Sequence, residues 1–181
     1  VDDLRDAGEG LGDARGAVAF VDLPDVGLSL FVGARHEEVV EVEAHDLGEV
    51  VEALQLDPTY VDAMLKLGDV YNKFAWQTND MVRYQQYIES ASALIPAVME
   101  LAPDYAAAWE FKGSIEYRSG NFPEARKSLQ KAISLNPNLA QAYFQLALVS
   151  QGEPEKVLEY MARFHELDPE QTFDRPSIFA L

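Results

Sequence analysis

The sequence predicts an all-α protein built from pairs of adjacent helices, and the stretch from Pro103 to Pro137 carries the strongest signal. Its first half places an aromatic or small residue at every fourth position, along one helical face: Tyr105, Trp109, Gly113 and Tyr117. Its second half repeats apolar residues at intervals of three and four: Phe122, Ala125, Leu129, Ala132 and Ile133. A turn signal at Gly120-Asn121 joins the two halves, and Pro137 ends the second.

Small residues in this hairpin predict how closely its two helices pack. Gly113, Ala125 and Ala132 lie on the predicted inner faces. Two helices approach closely only where one side carries almost no side chain. We therefore expect the large Trp109 ring to fill the space beside these small residues.

Composition limits the kinds of site that the chain can hold. With 181 residues, 48% of them hydrophobic, it is large enough for one or two modest domains. The absence of cysteine excludes disulfides, thiolate metal sites and cysteine nucleophiles. No apolar run approaches the roughly 18 residues of a membrane helix, and the acidic start predicts no signal peptide. The net charge of −17 disfavours nucleic acid as a partner. We expect a cytoplasmic protein without membrane insertion.

The first 53 residues differ in composition from the rest. Val, Asp, Gly, Ala and Glu make up 38 of them, and 14 acidic residues stand against three basic ones. Three interpretations of residues 1–45 are open. Valine content predicts a small β element with strands at Ala17–Leu23, Gly27–Val32 and Glu38–Glu43. The acidic, glycine-rich start favours a disordered leader. Because all five dominant residue types have codons beginning with G, part of the segment is also hypothesised not to be native sequence.

Helical patterns begin at Asp46, which can cap a helix that ends at Pro58. A helix from Val61 and a long one ending at Pro103 follow. The hairpin described above comes next, and a last helical pair extends from Ala140 to Pro169.

The hairpin at 104–137 resembles a tetratricopeptide repeat, a helix-turn-helix unit of about 34 residues. Counted from Ala106, six residues match the family pattern in register: Trp109, Gly113, Ala125, Leu129, Ala132 and Pro137. Lys112 and Glu116 depart from it, since leucine and tyrosine are usual at those positions. The resemblance implies a right-handed α-α superhelix, with a half repeat at 46–58 and repeats at 59–103, 104–137 and 138–169.

The repeat at 59–103 is 11 residues longer than the usual spacing, because Pro58 and Pro103 are 45 residues apart. Asn79 or Asp80 is a plausible cap for its second helix, which we predict to be about three turns longer than normal. Pro96 lies inside this helix and is expected to kink or divide it, because proline removes a backbone hydrogen bond.

The resemblance also implies a partner-binding groove lined by the first helix of each repeat. Carried over by position, the groove residues are Asp62, Leu65, Asp69, Asn72 and Lys73, then Ala107, Glu110, Ser114, Tyr117 and Arg118, then Gln141, Phe144, Leu148 and Gln151. The lysine and asparagine with which some family members hold a peptide's terminal carboxylate are absent. Phe144 and Leu148 predict an apolar patch, which is either a binding surface or covered core.

The expected function is protein–protein interaction, as a scaffold or adaptor that binds a peptide or helix in this groove. One alternative is a self-assembling structural protein that uses its C-terminal tail or its long inserted helix. A weaker one is a ligand-binding β module presented by the repeats. The tail at 170–181 is strongly apolar and either caps the last repeat or inserts into a neighbouring molecule: Phe173, Ile178, Phe179 and Leu181.

No catalytic constellation is evident in the sequence. His36, His45 and His165 lack the i, i+4 spacing of a helical metal pair, and no cysteine assists them. No glycine-rich loop precedes a phosphate-binding helix. We therefore predict no enzyme activity, no cofactor and no metal.

Overall fold

A computed structural model of the chain describes residues 18–23, 28–33 and 40–170. Its contacts divide the chain into two compact units, Val1–Leu101 and Ala102–Leu181. The first unit contains strands β1 (Val18–Leu23) and β2 (Leu28–Gly33) and helices α1 (Val40–Leu56), α2 (Val61–Gln77) and α3 (Met81–Leu101). The second contains helices α4 (Ala106–Arg118), α5 (Phe122–Leu135), α6 (Ala140–Val149) and α7 (Pro154–Leu167).

The predicted class, successive helical hairpins, is confirmed from α2 to α7. The predictions made for the acidic start before Val18 and for the apolar tail after Glu170 lie outside the described residues.

Strands β1 and β2 form a two-stranded antiparallel hairpin, in which Val18 pairs with Gly33 and Leu23 pairs with Leu28. Strand β1 lies beside α1, and β2 lies beside α3. Two of the three predicted strands are therefore present, each within one residue of its expected bounds.

The third predicted strand, Glu38–Glu43, is wrong, because α1 begins at Val40. The predicted helix cap at Asp46 is wrong for the same reason, since this residue lies inside α1. Glutamate and alanine, which favour helix, alternate with valine here, and strand propensity depends strongly on packing. Val50 and Leu54 are buried one turn apart, and α1 packs against α2.

Helices α2 and α3 pack against each other through apolar side chains. Several side chains of this pair are almost fully buried: Met64, Leu67 and Tyr71 on α2, and Ala91, Leu94 and Val98 on α3. Asp80 caps α3 as predicted, because its Oδ1 accepts hydrogen bonds from the N–H groups of Val82 at 2.9 Å and Arg83 at 3.4 Å. This cap fixes the start of the longest helix that the structure describes.

The extra length of this hairpin is shared between its two helices. Helix α2 has 17 residues and α3 has 21, against 13 in α4 and 14 in α5. Four of the extra residues therefore lengthen the first helix and seven lengthen the second, which corresponds to about one and two turns. The predicted three-turn extension of the second helix is too large, because part of the insertion continues α2.

Pro96 does not divide α3, which continues to Leu101. Proline leaves the carbonyl of Ser92 without its helical partner. Both Pro96 and Ser92 are exposed, so water can hydrogen-bond this carbonyl and the helix can continue.

Helices α4 and α5 approach most closely at Gly113. A Cβ atom at this position would lie 2.7 Å from Leu129 Cγ and 3.2 Å from the carbonyl oxygen of Ala125, so a side chain here would force its neighbours apart. Ala125, Leu129 and Ala132 are fully buried. Gly120 forms the turn with a φ of 77°, which favours glycine. The predicted close approach and turn are confirmed.

The core of the second unit joins α4, α5 and α6. Its buried members are Ala125, Leu129, Ala132, Ala142, Leu146 and Val149, and the half-buried side chains packed against them are Trp109, Tyr117, Ile133, Leu139 and Tyr160. Trp109 thus packs against this core, whereas Leu129 occupies the space at Gly113. The indole N–H of Trp109 donates a hydrogen bond of 2.7 Å to the carbonyl oxygen of Pro103.

The two departures from the repeat pattern, Lys112 and Glu116, belong to one polar network. Lys112 Nζ lies 3.9 Å from Glu116 Oε1 and 5.0 Å from the centre of the Trp109 ring. Glu116 also accepts a hydrogen bond of 2.6 Å from the hydroxyl of buried Ser128 on α5. The two helices are therefore joined here by charged contacts, and the rotation of α4 is unchanged because Gly113 still faces α5.

The last hairpin, α6 and α7, is held by aromatic contacts. Phe164 on α7 is fully buried, and its ring centre lies 5.5 Å from that of Phe144 on α6. The rings of Tyr143 and Tyr160 lie 6.4 Å apart on the same pair of helices. A large residue at position 164, where the repeat pattern has alanine, is therefore accommodated by ring contacts.

Candidate protein-interaction surfaces

The first helices of the two hairpins in the second unit, α4 and α6, lie in contact and form the surface that we call the α4–α6 groove. A side-chain hydrogen bond crosses it, from Gln145 Nε2 on α6 to Glu110 Oε1 on α4. Gln145 is buried and Glu110 is half-buried. This bond holds a carboxylate in a defined position in the groove.

Gln145 was not among the predicted groove residues, although its partner Glu110 was. The carbonyl oxygen of its amide, Oε1, is buried without a hydrogen-bond partner among the described residues. One signal was available in the sequence: Gln145 interrupts an otherwise apolar helical face between Ala142 and Val149. Its pairing with α4 required knowledge of the contact between the two helices.

The two predicted apolar groove residues on α6, Phe144 and Leu148, are both half-buried. The ring contact between Phe144 and Phe164 fixes the orientation of the first. One side of Phe144 is therefore covered by packing, and the remainder of this pair is exposed to solvent; its use as a binding surface stays a prediction. The pair therefore presents a partly apolar surface.

The remaining predicted residues of this groove differ in their exposure. Ala107, Ser114, Tyr117 and Arg118 on α4 are half-buried, whereas Gln141 on α6 and Gln151 after it are exposed. The ring centre of Tyr117 lies 5.6 Å from that of Phe122, and Tyr117 packs on the core. Tyr117 therefore supports the hairpin, and its place in the groove stays a prediction.

In the first unit, the five predicted residues on α2 are divided between surface and interior. Asp62, Asp69 and Lys73 are exposed. Leu65 and Asn72 are buried, and Asn72 Oδ1 has no hydrogen-bond partner among the described residues. Helices α1 and α3 both pack against α2 and leave a narrower solvent face than the repeat positions implied.

A charged contact fixes α7 relative to α5. Arg126 on α5 donates hydrogen bonds to Glu153 Oε1, just before α7, and at 3.0 Å to the carbonyl oxygen of Val149 at the end of α6. Lys156 Nζ lies 2.5 Å from Glu153 Oε2. The hydrogen bond from Lys156 lowers the pKa of Glu153 most, and the hydrogen bond from Arg126 lowers it further. The contact therefore connects α5, the end of α6 and the start of α7.

In the described part of the chain, no group of three or more His, Asp or Glu side chains could hold a metal ion. Among those same residues, no helix is both long and apolar enough to cross a membrane.

Comparison with solved structures finds proteins of similar fold. TTC0263, a thermophilic TPR protein of Thermus thermophilus, is 23% identical with a TM-score of 0.60, over 69% of this chain and 65% of that one. A crystal structure of MamA is 24% identical with a TM-score of 0.52, over 74% and 77%. Another structure of MamA is 27% identical with a TM-score of 0.50, over 72% and 68%. The chain thus spans less than two thirds of TTC0263.

Comparison with curated proteins finds no match. The family model for the TPR repeat matches residues 113–152, from Gly113 in α4 to the turn before α7. This range includes the close contact at Gly113, the buried small residues of α5 and all of α6. Residues 113–152 therefore match the TPR repeat, and the fold of the chain is similar to that of TTC0263 and MamA.

Proposed function

We propose that the protein is a protein-interaction scaffold that binds a peptide or helix in the α4–α6 groove. The observation that carries this proposal is the pair formed by Gln145 and Glu110 beside the half-buried Phe144 and Leu148. A fixed carboxylate next to an apolar surface offers both an anchor for a positive charge and a contact for an apolar side chain.

The charge of the groove indicates which peptides it favours. Glu110 and Phe144 occupy positions where lysine would be needed to hold a terminal carboxylate, and the chain carries a net charge of −17. A partner segment with a lysine or arginine next to an apolar residue complements both features. An acidic segment would meet repulsion from Glu110 and from the overall charge.

The supporting contacts keep this surface in one arrangement. Arg126 ties α5 to the end of α6 and to the start of α7, and Phe164 holds Phe144 from the interior. A preorganised surface loses little conformational entropy when it binds. A peptide or helix can therefore bind in the α4–α6 groove without a rearrangement of the groove.

The test is binding of fluorescent peptides that combine lysine with leucine or phenylalanine, measured by polarisation against matched peptides with glutamate in place of lysine. We expect the lysine peptides to bind and Glu110→Gln to weaken them about tenfold, as for loss of a charged interface contact. Glu155→Gln, which removes an exposed charge on α7, is the control and should bind like the wild type. Equal binding of acidic and basic peptides, or no effect of Glu110→Gln, would reject the proposal.

Self-assembly is the second candidate function. Trp76, Met81 and Val82, at the far end of the long hairpin, are 70%, 79% and 67% exposed. Large apolar side chains with this exposure favour contact with another protein surface. The long inserted pair of helices is therefore the part of the described structure that supports self-assembly.

A further inference from the structure

The solvent face of α2 carries a regular pattern of charge. Asp62, Lys66, Asp69 and Lys73 follow one another at intervals of four, three and four residues, and all four are exposed. These intervals place them in one line along the helix. The signs alternate from negative to positive, and the line is about 16 Å long at 1.5 Å per residue.

This line is complementary to itself when one copy is reversed. In an antiparallel arrangement about a two-fold axis midway between Lys66 and Asp69, each Asp62 faces Lys73 of the second copy. Each Lys66 then faces Asp69 of the second copy. All four positions meet a charge of opposite sign, which is the condition for a two-fold interface that uses the same patch on both chains.

The same register brings exposed apolar residues together at both ends. Trp76 lies three residues beyond Lys73 on α2. The two-fold axis places it opposite residue 59 of the second copy, in the turn before α2 and next to Tyr60. Tyr60 is 48% exposed and Leu56, at the end of α1, is 81% exposed. The large exposed Trp76 ring would meet this apolar turn of the second copy, and aromatic residues of this kind often anchor interfaces.

We propose that two copies of this chain associate through α2, antiparallel, with the four charged pairs in the middle and a Trp76 contact at each end. The inference rests on self-assembly, the second proposed function, and gives it a surface and a geometry. It does not involve the α4–α6 groove. Because each chain carries a net charge of −17, association requires that local attraction exceed the long-range repulsion.

The test begins with the full chain in sedimentation equilibrium. We expect a concentration-dependent monomer–dimer equilibrium for the wild type. Lys66→Glu and Asp69→Lys, made singly, each place two like-charged contacts in the dimer and should make the protein monomeric. The double variant K66E/D69K restores opposite signs at every position and should dimerise again. An equimolar mixture of the two single variants should also form a dimer, with one chain of each kind.

The mixture serves as the control for folding, because variants that failed to fold would not pair with each other. Trp76→Ala should weaken dimerisation about tenfold or more, as for an interface anchor. Leu158→Ala, which removes another exposed apolar residue in the second unit, should leave it unchanged.

Three results would overturn the proposal: a wild type that stays monomeric, single charge variants that dimerise like the wild type, or a double variant that stays monomeric. Failure of dimerisation with retained binding of lysine peptides would reject this interface and keep the proposed groove. Loss of peptide binding with retained dimerisation would reject the proposed groove and keep this interface.

Discussion

The two hairpins α4–α5 and α2–α3 differ in how much of their length is covered by packing. The shorter pair, of 13 and 14 residues, meets at Gly113 and buries its inner face over most of its length. The longer pair, of 17 and 21 residues, has a similar buried centre but extends beyond it. The extra helical length adds some core, since Phe74 and Ala75 near the end of α2 are buried, and it also adds an exposed end.

The consequence is visible in the exposed side chains. In the shorter pair, Phe122 is half exposed but still contacts Tyr117. In the longer pair, Trp76, Met81 and Val82 are each at least two-thirds exposed. Both hairpins bury most of their apolar residues, but the lengthened one also presents these three to solvent, where they can contact a partner.

The largest expected effect comes from the core of the shorter hairpin. Leu129→Ala removes a fully buried side chain and should lower the free energy of unfolding by about 2–5 kcal/mol. Urea denaturation measures this. The control is Leu158→Ala on α7, which is 66% exposed and should change stability by less than about 0.5 kcal/mol. Similar losses in both variants would mean that Leu129 is not the centre of this core.

Gly113→Ala tests the close contact itself. Overpacking against Leu129 should cost about 1–3 kcal/mol, partly offset by about 1 kcal/mol of improved helix propensity. Gly48→Ala in α1 is the matched control. Nothing lies within 4 Å of its added Cβ, so the better helix propensity of alanine should stabilise the protein. In a Leu129→Ala background the clash with the Leu129 side chain is relieved and only the contact with the carbonyl oxygen of Ala125 remains, so Gly113→Ala should destabilise the protein less. A stabilising Gly113→Ala in the wild type would contradict the observed packing.

A smaller effect is expected from the contact between α5 and α7, at low pH. The pKa of Glu153 lies below its ordinary value of 4.5, so its stabilising contribution is present above that pH and is lost as the pH falls through the lowered pKa. Glu153→Gln should therefore flatten the decline in stability on acidification, measured by urea unfolding between about pH 7 and 3. Glu155→Gln is the control for removal of a charge. An unchanged acid profile in Glu153→Gln would argue against the contact.

The smallest effect is expected at the far end of the longer hairpin. Met81→Gln and Val82→Gln replace highly exposed side chains and should change the free energy of unfolding by less than about 0.5 kcal/mol each. Ile88→Ala, farther along the same helix and buried, should cost about 2–5 kcal/mol. A large loss at Met81 would show that the extension is part of the folded core.

The sequence by itself determined the regular part of this protein. The spacing of Gly113, Ala125, Leu129 and Ala132 predicts the α4–α5 hairpin, its turn and its tight contact, all of which the structure contains. This succeeds because periodicity and turn chemistry are local properties, and in a repeat each helix packs mainly on neighbours close in sequence.

Tertiary structure decided the features that depend on which neighbours cover a residue. It placed residues 40–43, which had been predicted as strand, in helix α1. It also buried Leu65 and Asn72, which the repeat positions had placed at the surface. It also paired Gln145 with Glu110, 35 residues apart. A periodic pattern gives the face of a helix, but the width of its solvent-exposed part and the partners of its polar groups follow from the helices packed on either side.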